Sequence, residues 1–227
     1  MRNFLWMGVV VLSVLGRPAV ADELFKYNYI KVGSQKVTQH AEGYSPKIDG
    51  SSTGVFGSYA IQERVAIGIQ YTKSKTSFNG RYLGTAASFN AKENELALGA
   101  TLHKMVSDNA ELAFDLALNH TTEDAYTKTV GGIQNKIPAF TTNSHTFGIR
   151  GGIAIVPEFR VGVSIGRTTG GNSNATTHYG ISAEYEIVKN FNLEGGYRLS
   201  TSSPGHARGI SISGRYYYGM EVSKGPL

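Results

Sequence analysis

The chain has 227 residues, no cysteine and a formal net charge of +5 at pH 7. Because cysteine is absent, both a disulfide framework and a thiolate metal site are excluded. The positive charge is too small to indicate a nucleic-acid-binding surface, so we expect no nucleic-acid partner.

The first 21 residues have the pattern of a secretory signal peptide. Arg2 gives a positive start, an apolar run follows from Phe4 to Leu15, and Ala19-Val20-Ala21 places small residues before a cleavage site. The apolar run is shorter than the roughly 20 residues that a membrane-spanning helix needs. We therefore predict a signal peptide over residues 1–21 and one mature domain over residues 22–227. An uncleaved N-terminal helix is the alternative.

Beyond the signal peptide, hydrophobic residues recur with a period of two, which is typical of β-strands. The clearest example is a pair of segments, Glu95 to His103 and Glu111 to Asn119, separated by a tight turn at Asp108-Asn109. One face of each segment is apolar, carrying Leu96, Leu98, Ala100 and Leu102 in the first and Leu112, Phe114, Leu116 and Leu118 in the second. The two segments are predicted to form a hairpin.

The same alternation predicts about ten strands in all. In chain order they span about 25–34, 53–61, 65–72, 95–103, 111–119, 147–155, 159–165, 179–187, 191–199 and 210–218. The facing of the first strand is ambiguous. Short connections, such as Gln62-Glu63 and Pro157-Glu158, alternate with long polar ones at about 35–51, 74–92, 123–144, 169–176 and 201–207.

Short turns at one rim and long loops at the other are typical of membrane barrels, and each strand has an apolar face long enough for a lipid-facing band about 25 Å tall. We therefore predict an all-β fold: a closed antiparallel up-and-down transmembrane β-barrel of about ten strands, with eight as the alternative count. Such a barrel lies in the bacterial outer membrane, and an even strand count puts both mature termini on the periplasmic side. A soluble β-sandwich would also alternate and is the alternative fold.

The alternation assigns side chains to the two faces of the barrel wall. We expect charged side chains inside the lumen at Asp115, Arg150, Arg160, Glu184, Glu186, Glu194, Arg198 and Arg215. We expect lipid-facing side chains at Leu96, Leu98, Leu112, Phe114, Leu116, Val161, Val163, Tyr216 and Tyr218.

Four segments resemble the OmpA/OmpX-like group of small outer-membrane β-barrel proteins. They are Tyr27-Asn28-Tyr29-Ile30, Gly57 to Ile61, Leu193 to Arg198 and Gly214 to Tyr218. The resemblance implies that Tyr218 is the terminal aromatic residue read by the barrel assembly machinery. The chain departs from the pattern because it continues from Gly219 to Leu227.

No enzyme signature is evident, and we expect neither catalysis nor a cofactor. Omptin-type proteases are ten-stranded barrels with acidic residues and a histidine at the outer rim, where this chain has Glu123, Asp124 and His145. Small-barrel lipid A hydrolases use a histidine and a serine, but His178 and Ser182 would lie about 13 Å apart along one strand. The histidines at 40, 120 and 206 have no convincing metal spacing.

Two interpretations of the lumen remain open. The charges inside it could line an ion path, or they could pair with one another and fill the interior. We favour a filled lumen, with Glu194 reaching Arg215 if the register allows, and hence a structural or surface-interaction role. A narrow porin is the alternative. The long connections are rich in Lys and Arg, so the expected partners are outer-membrane lipid and lipopolysaccharide, and we expect a monomer.

Overall fold

The computed structural model describes residues 27–62, 64–171, 175–203 and 205–218. The predicted signal peptide, residues 1–21, and the tail from residue 219 onward lie outside these described residues. Among the described residues, no helix is long and apolar enough to cross a membrane.

Ten strands form a closed antiparallel ring, which confirms the predicted fold class and makes the alternative count of eight wrong. In chain order the ring strands are β1 (Tyr29–Ala41), β3 (Ile48–Gln62), β4 (Val65–Tyr82), β5 (Thr85–Ser107), β6 (Ala110–Glu123), β9 (Phe140–Val156), β10 (Phe159–Gly170), β11 (Thr176–Val188), β12 (Phe191–Ser202) and β13 (Gly205–Tyr217). Each pairs with its neighbours in the ring, and the pairing of β1 with β13 closes it. Closure leaves the ring without a free sheet edge.

Three short strands lie outside the ring: β2 (Tyr44–Ser45), β7 (Tyr126–Val130) and β8 (Ile133–Ile137). They extend the far ends of β4 and β5, because β2 pairs with β4, β7 pairs with β5, and β8 pairs with β7. We call this unit the projecting arm: residues 76–91 together with β2, β7 and β8. Its tip is a tight turn in which both Leu83 and Gly84 have positive φ, 49° and 81°.

The predicted long loops at 35–51, 74–92, 123–144 and 201–207 are therefore wrong, since most of their residues belong to strands. β5 alone has 23 residues. In these segments the outer face of the sheet meets water instead of lipid, so the regular apolar alternation disappears while the backbone pairing continues. The sequence pattern detects a continuous apolar face, and these segments have only separate buried apolar residues such as Ile48, Phe78 and Ala87.

The barrel is polar inside and apolar outside. The fully buried side chains include Arg215, Gln35 and Asn192, whereas leucine and isoleucine side chains are exposed on the outer wall, Leu98 by 54% and Ile69 by 52%. On β1 the same division settles the ambiguous facing: Tyr29 and Lys31 are buried, and Ile30 and Val32 are exposed. A soluble protein has the opposite distribution, with apolar side chains buried and charged side chains exposed.

Register shifts lie next to four of the short connections. They occur between Ala60 and Gln62, Met105 and Ser107, Phe159 and Arg160, and Glu186 and Val188. A bulge increases local twist and bends a strand, so these positions curve the sheet at the rim with the short turns.

Candidate functional site

The interior of the ring is the candidate site, because the structure brings most of the predicted lumen charges together there. Among them, Asp115, Arg160, Glu184 and Arg215 are buried, and Arg150, Glu186, Glu194 and Arg198 are half-buried. Glu186 lies at the rim, where Oε1 accepts a hydrogen bond from the backbone N–H of Asn190 at 3.1 Å. It therefore caps a turn and does not contribute to the centre.

Arg215 is the centre of a cluster on one side of the lumen. Its Nη1 donates to Glu184 Oε2 at 2.9 Å and to the Tyr217 hydroxyl at 3.0 Å, and its Nη2 donates to Glu194 Oε2. Lys31 Nζ donates to the same Glu194 oxygen at 2.9 Å. The residues come from β1, β11, β12 and β13, so this Arg215 cluster connects four neighbouring strands on the inner face of the barrel.

The register explains why these side chains meet. Glu194 pairs with Ser213 across β12 and β13, so Arg215 is its diagonal neighbour, and Arg215 pairs directly with Lys31 across β13 and β1. Two cations side by side are stable there because Glu194 bonds to both of them and Glu184 bonds to Arg215. The Arg215 guanidinium also lies 4.6 Å from the ring centroid of Tyr29, a cation–π contact.

A second ion pair lies on the opposite wall. Arg150 donates from Nε to Asp115 Oδ2 at 2.5 Å and from Nη2 to Asp115 Oδ1 at 2.9 Å. Thr101 Oγ1 also donates to Asp115 Oδ1, at 2.8 Å. The fork geometry is the strong form of an Arg–carboxylate contact. The fork connects β6 and β9, and the Thr101 hydrogen bond adds β5.

A chain of neutral polar groups crosses five neighbouring strands. Asn119 Nδ2 donates to Thr146 Oγ1 at 3.0 Å, and the Thr146 and Thr168 hydroxyls are 2.9 Å apart. Thr168 is 3.0 Å from Nε2 of His178, and Nδ1 of His178 is 2.9 Å from the Ser200 hydroxyl. Both ring nitrogens of His178 are therefore engaged by these two hydroxyls, and neither contact involves Ser182.

A cavity of about 130 Å³ lies between these layers, among Asp115, Arg150, His178, Glu194 and Arg198. It has room for a few water molecules, since each occupies about 30 Å³ of liquid.

Three glutamates lie toward the rim from which the arm projects. Glu93 and Glu95 are buried on β5, and Glu123 on β6 pairs directly with Glu93. Burial, and then the charges of Glu95 and Glu123, raise the pKa of Glu93 to about 8. Burial raises the pKa of Glu123 to about 7. Among the described residues, no group of three or more His, Cys, Asp or Glu side chains could hold a metal ion.

The candidate catalytic residues at this rim do not converge. Glu123 is buried in the interior, whereas Asp124 and His145 are exposed. Glu123 pairs with Phe140, five residues along β9 from His145. His40 and His206 do meet, as stacked rings with centroids 4.5 Å apart.

The predicted lipid-facing side chains lie on the outer wall. Leu96, Leu98, Leu112, Phe114, Leu116, Val163, Tyr216 and Tyr218 are exposed, and Val161 is half-buried. The hydroxyl of Tyr218 donates to the backbone carbonyl of Ser58 at 3.0 Å, and its backbone N–H donates to the carbonyl of Asn28 at 2.9 Å. Tyr218 is therefore anchored to the ends of β1 and β3 after its own strand has ended.

Sequence reasoning missed two parts of the arrangement. Lys31 and Tyr29 were not assigned to the lumen because the facing of β1 was ambiguous, although Ile30 and Val32 mark its outer face. The aromatic packing of the arm was also missed: Phe78 is buried against Ile48 and Ala87, and Tyr44 packs on it with ring centroids 5.0 Å apart. The aromatic residues of this segment are a signal that could have identified it.

No protein-family model matches the sequence, and no curated protein matches it either. The fold is similar to that of three solved autotransporter structures. The transport unit of AIDA-I from Escherichia coli has a TM-score of 0.57 at 10% identity, over 88% of this chain and 93% of that chain. The translocator domain of NalP from Neisseria meningitidis has a TM-score of 0.54 at 12% identity, over 85% of this chain and 89% of that chain. The β-domain of the Bordetella autotransporter BrkA has a TM-score of 0.52 at 13% identity, over 85% of this chain and 100% of that chain.

At these identities the similarity extends to the fold alone. The OmpA/OmpX-like grouping stays a prediction.

Proposed function

We propose that this chain is an outer-membrane β-barrel protein with a filled lumen and a structural or surface-interaction role. The observation that carries the proposal is the Arg215 cluster. Its charged groups bond to one another on the inner wall instead of remaining unpaired along an open path. The Asp115–Arg150 pair occupies the opposite wall in the same way.

The location rests on the inverted distribution of polarity. An apolar outer wall and a polar interior suit a barrel surrounded by lipid, where closure satisfies every backbone hydrogen bond. Short turns at the end that carries both chain ends of the described barrel, and a projecting arm at the other, support an orientation with periplasmic termini and an external arm. In this proposal the chain is exported by its signal peptide and assembled by the barrel assembly machinery through Tyr218.

The proposal includes no enzymatic activity and a monomeric state. The expectation of no enzymatic activity is supported by the separation of Glu123 from His145 and by the engagement of His178 with two hydroxyls. The external partners are lipid and lipopolysaccharide.

Single-channel recording of the refolded protein in planar bilayers tests the proposal. The wild type is expected to show no steady conductance. Truncation of both Glu194 and Arg215 to Ala is expected to open the lumen and produce one. The matched control is Leu193→Ala with Tyr216→Ala, which changes the same two strands at adjacent positions on the outer wall.

A wild type that already conducts steadily, with no further increase in the lumen double variant, would overturn the filled lumen in favour of a narrow porin. A change in electrophoretic migration between unboiled and boiled samples establishes that each recorded variant is folded.

A further inference from the structure

A group of four exposed lysines lies on one side of the outer wall, at the upper edge of the apolar belt. The four residues, which we call the lysine row, are Lys36, Lys73, Lys75 and Lys92. The strand register places them together. Lys36 pairs with Ser51, Ser51 with Lys75, and Lys75 with Lys92, so one line across β1, β3, β4 and β5 carries three of the four.

The height of the lysine row is fixed by the residues beneath it. Val55, Tyr71 and Leu96 form an exposed apolar line across β3, β4 and β5. Lys73 follows Tyr71 by two residues, one step of about 7 Å along the outer face of β4, and Lys75 follows one step further. The row therefore begins where the apolar belt ends, at the level of lipid headgroups.

The arrangement is unfavourable without an anion. Lys75 and Lys92 lie directly opposite each other, and like charges in such a cross-strand pair destabilise a sheet. Within the described residues none of the four lysines forms a salt bridge with a carboxylate. Lys73 instead has its Nζ 5.8 Å from the centroid of the Tyr71 ring.

The surface here is concave and offers neutral donors beside the cations. A depression of about 530 Å³ is lined by Lys73, Lys75 and Lys92, the exposed Ser51, Thr53 and Asp124, the half-buried Asn94, and the buried residues Ser52, Ser74 and Glu93. Lysine ammonium and hydroxyl groups are ordinary ligands of phosphate oxygens. Asp124 carries a negative charge at the same depression, so an anionic ligand must be held mainly by the lysines.

We propose that the lysine row binds the phosphorylated headgroup of an outer-leaflet glycolipid, of the bisphosphorylated lipid A type. The inference rests on the proposed function, because it needs the arm-bearing rim to face outward. It adds a defined site and the chemical group recognised there. Two phosphates on one headgroup match a row of cations that extends over four strands better than a single phosphate does.

Native mass spectrometry of the folded protein in detergent micelles tests the site. The protein is mixed with bisphosphorylated lipid A, monophosphorylated lipid A, phosphatidylglycerol or inorganic phosphate. EDTA is present throughout, so that Glu93 and Asp124 cannot recruit lipid through a divalent cation. The wild type is expected to retain bisphosphorylated lipid A about tenfold more strongly than the monophosphorylated form. Inorganic phosphate at millimolar concentration is expected not to displace it.

The decisive variant is Lys75→Gln with Lys92→Gln, which is expected to reduce binding of bisphosphorylated lipid A to the level of the monophosphorylated form. The matched control is Lys104→Gln, an exposed lysine on β5 at the other edge of the apolar belt. Heat-modifiable migration shows that both variants fold.

Unchanged lipid A binding in the double variant, an equal loss in the control, or displacement by inorganic phosphate would each overturn the site. Failure of the proposed function appears separately, as steady conductance of the wild type or as an arm inaccessible to protease on intact cells.

Discussion

Asp115 accepts two hydrogen bonds from the guanidinium of Arg150, and only 2% of Asp115 is exposed. Replacing Asp115 by Ala leaves the half-buried Arg150 without its fork of acceptor oxygens. Removing one partner of such a pair costs about 3–5 kcal/mol. We expect this loss in the free energy of unfolding, measured by urea titration in detergent micelles.

The double variant Asp115→Ala with Arg150→Ala is the matched comparison, because it removes both charges. It should lose less stability than Asp115→Ala alone. Equal losses in the two variants would contradict a role for the pair in satisfying a buried charge.

A charge introduced into the apolar belt should impair folding, whereas a charge introduced into the arm should be tolerated. Leu98→Arg places a guanidinium on the outer wall at the level of the belt, at a cost of about 2–4 kcal/mol. Asn90→Arg also introduces an arginine on the outer face of β5, but at the level of the arm. The yield of folding into lipid vesicles should fall for Leu98→Arg and stay near the wild-type value for Asn90→Arg. Equal yields would mean that residue 98 does not face lipid.

The stability of the arm-bearing rim should fall as pH rises. The pKa of Glu93 is raised to about 8 in the folded protein, against about 4.3 in an unfolded chain. The folded state therefore binds the proton more tightly, and the stability that this proton provides is lost as pH rises from about 4.5 to 8.

Glu93→Gln keeps a neutral side chain at all pH values. It should match the wild type near pH 5 and be more stable than the wild type at pH 9. Unfolding midpoints at the two pH values measure the difference. The mutation Glu42→Gln, at an exposed carboxylate near the arm, is the control and should not change the pH dependence. A wild type whose stability rises over this range would contradict the assigned burial of Glu93.

The arm should be able to unfold without the barrel. Phe78 is only 4% exposed and packs with Ile48 and Ala87 in the aromatic cluster of the arm. Phe78→Ala removes that contact, which costs about 3–5 kcal/mol in a packed core. Trypsin should then cleave the arm near Arg81 while the membrane-embedded ring stays intact. The neighbouring exposed Asn79→Ala should leave the arm resistant, and cleavage in both variants would show that Phe78 does not hold it.

The ring could be predicted from the sequence because lipid imposes alternation. The alternation of Leu112, Phe114 and Leu116 predicts their strand, because every second residue must be apolar where the wall meets hydrocarbon. The lumen-facing positions of Glu194 and Arg215 were predicted because these residues alternate with the apolar ones. The proximity of that pair depended on a diagonal register, which a period of two cannot reveal.

The period of two did not predict the arm, because no boundary between lipid and lumen imposes a regular apolar face on its sequence, and its aromatic residues were the available signal. The segment Ser74 to Arg81 is mostly polar and has one large apolar residue, Phe78, so it shows no apolar alternation. Only the turn residues at Leu83-Gly84 and Gly131-Gly132 mark its hairpins locally. The lysine row needed the pairing of four strands, since Lys36 is 39 residues from Lys75 in the chain.

The length of β5 has a consequence for biogenesis. Its 23 residues extend about 75 Å, and in the proposed orientation the hairpin tip at Leu83-Gly84 starts on the inner side of the bilayer and finishes far beyond it. Lys75, Arg81 and Lys92 must make that crossing with it, and translocating one such charge through the middle of a bilayer costs about 3 kcal/mol. In the proposed orientation the rim with the short turns does not cross the bilayer. Spontaneous insertion into a thick, defect-free bilayer should therefore be slow, and a catalyst that thins or opens the bilayer becomes a kinetic requirement for this chain.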